Sequence, residues 1–95
     1  MSEVIWKYKL DSWQKIETIK MPSGAEILTV QEQDGHPTIW AKVEPDNEEE
    51  GRVFHIIGTG WESGEDCKEF SKLKYIGTVQ CGAYVWHIHG EVNDE

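Results

Sequence analysis

Apolar and polar residues alternate with a period of two along most of this sequence, and glycine, proline or aspartate cuts the runs at short intervals. A strand sends successive side chains to opposite faces, so this period selects β-strands and excludes helices as the main element. In the first run Val4, Trp6, Tyr8 and Leu10 share a face, with Ile5, Lys7 and Lys9 on the other. That pattern predicts a half-buried strand over residues 4–10. Further strands are expected over 15–21, 25–33, 37–44, 52–60, 73–81 and 83–89.

The punctuation supports those limits. Pro22-Ser23-Gly24 ends the second strand, and Asp34-Gly35 is a hairpin signal because both residues accept positive φ. Gly82 marks another tight turn. On the third strand Leu28 and Val30 are expected on one face, opposed by Ile27 and Thr29. Ile39, Ala41 and Val43 share a face of the fourth, with Trp40 pointing the other way. Val53, His55 and Ile57 oppose Phe54 and Ile56 on the fifth. Tyr84, Trp86 and Ile88 form the core side of the last, opposite Ala83, Val85, His87 and His89.

Seven short strands in 95 residues imply a single all-β domain spanning 1–95. The expected architecture is a small antiparallel sandwich or partly open barrel, with one helical turn near 65–70. Trp6 and Trp86 fit core faces, while Trp13, Trp40 and Trp61 sit at a turn, on a second face and at a loop start. No run approaches the roughly 18 apolar residues of a membrane span, and the N-terminus lacks a basic and an apolar signal region. A cytoplasmic protein with two free thiols, Cys67 and Cys81, is the expectation.

Charge divides the sequence in two. Residues 1–43 carry six acids and five lysines, whereas residues 44–95 carry twelve acids and four bases. Glu44, Asp46, Glu48, Glu49 and Glu50 make one cluster, read as an exposed, mobile acidic loop over 44–51. Glu62, Glu65, Asp66 and Glu69 make a second, and Glu91, Asp94 and Glu95 belong to a polar tail over 90–95. Such a surface repels nucleic acid and suits a basic protein partner.

Catalytic signals are weak. The serines lack an elbow motif, acids around Cys67 disfavour a thiolate, and Cys81 fits a packed core position. Gly58-Thr59-Gly60 lacks the rest of a phosphate-binding pattern. His87-Ile88-His89 sets two imidazoles on one strand face, which His55 from another strand could approach and Glu91 would extend. A metal-binding or small-ligand barrel using His55, His87 and His89 is therefore an alternative. No cofactor is expected otherwise.

Several segments in order carry a resemblance: Ile5-Trp6-Lys7-Tyr8, Met21-Pro22-Ser23-Gly24-Ala25, Ile27-Leu28-Thr29-Val30-Gln31, Ile39-Trp40-Ala41-Lys42-Val43, Gly58-Thr59-Gly60, Tyr75-Ile76-Gly77-Thr78 and Tyr84-Val85-Trp86-His87. Over residues 4–90 the chain resembles a family of small uncharacterised proteins of bacteriophages and prophages. The resemblance transfers no catalytic residue. It implies a non-enzymatic accessory protein that binds and inhibits or modulates a host protein with a basic surface, such as a CRISPR effector or another nucleic-acid-handling defence component. Both acidic clusters would occlude that surface, with Trp40 or Trp61 as anchors. A virion structural or assembly protein is a further alternative.

Overall fold

The computed structural model describes residues 2–11, 15–61 and 72–91. They form β1 (Val4–Lys9), β2 (Ile16–Pro22), β3 (Glu26–Gln33), β4 (His36–Val43), β5 (Glu49–Gly58), β6 (Leu73–Cys81) and β7 (Tyr84–Glu91). Two antiparallel sheets result, one in the order β1-β4-β3 and one in the order β2-β5-β7-β6. They form a sandwich that does not close into a barrel. The expected helical turn near 65–70 and the residues Trp13, Glu62, Glu65, Asp66, Cys67, Glu69, Asp94 and Glu95 lie outside the described residues. Among the described residues no helix is long and apolar enough to cross a membrane.

The Asp34-Gly35 hairpin forms as its residues dictate, with φ of 54° and 82°. Side-chain alternation then places the core. Ile39, Ala41 and Val43 of β4 meet Phe54 and Ile56 of β5 and Trp86 and Ile88 of β7 in one buried cluster, joined by Leu10 and Met21. Burying each such aliphatic or aromatic side chain contributes about 1.5–3 kcal/mol. The sheets approach most closely where β6 passes β3. A Cβ on Gly77 would stand 2.7 Å from Val30 Cγ1, so only glycine admits that contact.

Five expectations about faces and limits are corrected. A bulge between Ile27 and Thr29 shifts the phase of β3, so Ile27 and Val30 both pack on the core while Leu28 is exposed. β1 is the outermost strand of its sheet, and Val4 and Trp6, expected on its buried face, are exposed there, while Ile5 is exposed on the lysine face as expected. Tyr84 is 54% exposed because it sits at the hairpin, past the edge of the core. β5 begins at Glu49, where Glu49 and Glu50 pair with Pro22 and Met21, and β7 continues through Glu91.

The pairing gives the sandwich two distinct ends. β1, β3, β5 and β6 all start at the end where β2, β4 and β7 finish. This crossover end carries the connection from β4 to β5. The opposite, hairpin end carries the Asp34-Gly35 turn, the Gly82 turn and the turn from Gly58 to Trp61.

Candidate functional site

The first acidic cluster lies at the crossover end. Glu44 to Glu48 carry the chain from one sheet to the other, and Glu49 and Glu50 open β5. Three hydrogen bonds tie this connection to the turn after β2 and to itself. Ser23 N–H donates to the Glu48 carbonyl at 2.7 Å, Asn47 N–H donates to the Glu44 carbonyl at 3.0 Å, and Asn47 Nδ2 donates to the Ser23 carbonyl at 2.9 Å. Three hydrogen bonds outweigh the mutual repulsion of carboxylates in water, which screening keeps small. Among the described residues Glu44, Asp46, Glu48 and Glu49 have no ion-pair partner within 4 Å, and Glu50 has Arg52 at 3.9 Å.

Burial, then the Glu49 carboxylate, raises the pKa of Tyr8 on β1. At the same end Glu26, 3.3 Å from Lys42 Nζ, raises the ammonium pKa by hydrogen bonding and charge, and Glu3 adds to it.

The expected aromatic anchors separate. Trp40 is half-buried on the outer face of its sheet, opposite Lys7 and Thr29 and roughly 13 Å along the strand from Glu44. Trp61 lies past the far end of β5. At about 3.3 Å per residue, the span from Glu49 to Gly58 alone is roughly 30 Å. Trp61 and the first acidic cluster therefore do not form one surface. Trp61 belongs to an aromatic group at the hairpin end: its ring meets Trp86 edge-on at 5.4 Å, and Tyr84 stacks on Trp86 at 5.5 Å. Lys15 Nζ lies 5.9 Å from the Trp61 ring. Gly58 makes this seat, since a Cβ there would lie 2.7 Å from the indole.

The histidines share the outer face of the four-stranded sheet, as their alternation predicts. His55 pairs across strands with His89, and His87 with Ile57 and Thr78. Each imidazole is committed differently. His55 is buried, with Nε2 at 2.9 Å from Glu91 Oε2. His87 is held by hydroxyls on both sides, Thr59 Oγ1 at 2.7 Å from Nε2 and Thr78 Oγ1 at 2.9 Å from Nδ1. Tyr75 continues that chain, 2.6 Å from Thr78. Burial lowers the pKa of His89; a hydrogen bond that its ring donates to the His87 backbone carbonyl opposes the shift, and the charges of His87 and His55 add to the lowering. Among the described residues no group of three or more His, Cys, Asp or Glu side chains is placed to hold a metal ion.

A recess of about 380 Å³ beside these histidines is bounded by Ile57, Thr59, Trp61, Tyr75, His87 and His89. Sequence reasoning did not connect Thr59, Thr78 and Tyr75 with His87. Only strand register brings them to His87, whereas Glu91 was visible as the next residue on the histidine face. Cys81 is buried, and burial followed by the Glu32 charge raises its thiol pKa, so it is a packed residue rather than a nucleophile.

No curated protein and no solved structure matches the chain. A family model, described as a domain of unknown function (DUF7352), matches residues 1–95, and the chain belongs to that family.

Proposed function

We propose that this protein is a non-enzymatic binding module, encoded by a phage or prophage, that inhibits or modulates a host protein through a basic surface on that host protein. One observation carries the reading: the acidic array of half-buried Glu44 and exposed Asp46, Glu48 and Glu49 is held by the Ser23 and Asn47 hydrogen bonds, and among the described residues these four carboxylates have no ion-pair partner. A fixed array of carboxylates loses little entropy on meeting lysines and arginines, and its field speeds encounter. Trp40, on the outer face near the same end, is the aromatic contact retained from the sequence reading. Trp61 is assigned no role in this interface. A defence component that handles nucleic acid is the favoured partner class, because its basic channel accepts a carboxylate array in place of phosphates.

The test is capture of partners from host lysate by the full chain at low and high salt, followed by titration of the purified partner. Binding that weakens with salt, and weakens at least tenfold when Glu44, Glu48 and Glu49 are all changed to Gln, is expected. Binding indifferent to both changes overturns the reading.

A further inference from the structure

We propose that the open edge of β1 pairs antiparallel with β1 of a second copy of this chain, centred on Trp6, to make a continuous six-stranded sheet. The inference is independent of the partner proposed above.

Among the described residues β1 is bonded on one side only, to β4, and it is the outermost strand of its sheet. Three consecutive large apolar residues lie exposed on it: Val4 at 36%, Ile5 at 60% and Trp6 at 42%. The other outer strand of the same sheet, β3, is covered where Val30 meets Gly77 of β6. An uncovered apolar edge with a free row of backbone donors and acceptors is a template for another strand.

Charge selects the second copy and the register. Antiparallel pairing centred on Trp6 puts Glu3 of each copy opposite Lys9 of the other. It puts Val4 opposite Tyr8, Ile5 opposite Lys7, and the two Trp6 side chains across the two-fold axis. Directly opposed residues share a face, so Glu3–Lys9, Val4–Tyr8 and Trp6–Trp6 are matched in side as well as in chemistry, and Ile5 lies along the aliphatic stem of Lys7. The axis also places the acidic crossover end of one copy beside the Lys7 and Lys9 end of the other, which separates the two acidic arrays. Centring on Lys7 would instead oppose the two Lys7 ammonium groups, which is unfavourable. Lysines on an edge strand guard against random pairing, and this register is the one that gives Lys9 a carboxylate.

Sedimentation equilibrium of the full chain over a concentration series tests the interface. A reversible species of twice the 10.9 kDa chain mass is expected. Glu3→Lys alone and Lys9→Glu alone should each weaken the dimer about tenfold, because the axis repeats the like-charge contact, and the double swap should restore it. A Trp6→Cys substitution in a Cys67→Ser background should cross-link on oxidation, since residues opposed at the axis bring their Cα atoms within disulfide range. A strict monomer at all concentrations overturns the proposal. So does a dimer that the double swap fails to restore, or one that Trp6→Cys fails to cross-link.

Discussion

The two ends of the sandwich are built by different physics. The hairpin end is held by packing: Trp61 against Trp86, Tyr84 against Trp86, and Gly58 beneath the Trp61 indole. The crossover end is held by backbone and amide hydrogen bonds around Ser23 and Asn47, and it presents carboxylates to solvent. Apolar contacts are strong, short-ranged and insensitive to salt. Charge acts at longer range and weakens as ions screen it. One end therefore bears on stability, and the other is free to serve recognition.

The largest expected effect would confirm or break that division at its apolar side. Trp86→Ala should cost about 3–5 kcal/mol in urea denaturation, since it empties the contact shared by Trp61 and Tyr84. A loss under 1 kcal/mol, on the same scale of core truncations, would mean the aromatic group is decoration. Gly58→Ala should cost about 1–3 kcal/mol by overpacking, with a change in tryptophan fluorescence as the Trp61 indole is displaced. At the crossover end Asn47→Ala removes one hydrogen bond and should cost about 0.5–1.5 kcal/mol. Faster amide exchange at Ser23 would show that the acidic connection had loosened. Changing Glu44 and Glu48 to Gln should move stability by no more than about 0.5 kcal/mol in either direction, while removing salt sensitivity from partner binding.

A pH series sharpens the comparison with the smallest effect. Burial lowers the pKa of His89 below its ordinary 6.5 in the folded chain. The unfolded chain therefore binds the proton first. Stability is fully present above pH 6.5 and falls as pH drops through the lowered folded value. His89→Gln should remove that part of the slope. An unchanged difference between the two proteins across this range would show that His89 does not contribute.

Particular residues show why the sequence was partly legible. Alternation in β4 and β7 identified Ile39, Ala41, Val43, Trp86 and Ile88 as core, and each is buried. Asp34-Gly35 was legible because its backbone preference is local. Leu28 misled because a bulge resets the phase without leaving a local signal. The hydrogen bonds from Ser23 N–H to Glu48 and from Asn47 Nδ2 to Ser23 were not legible around the acidic cluster, because they join residues 24 or more positions apart. The hydroxyl partners of His87 were invisible for the same reason, since Thr59 lies 28 residues away.

The sequence by itself determined the strands, most of their inward faces and the imbalance of charge, because each follows from residue type and a period of two. Only the tertiary structure decided the order of strands in each sheet. That order sets the acidic crossover and Trp61 at opposite ends and leaves β1 at the edge of its sheet. Alternation says which way a side chain points relative to its own strand. It carries no information about which strand lies beside it, because that depends on which pairings bury the most apolar surface together.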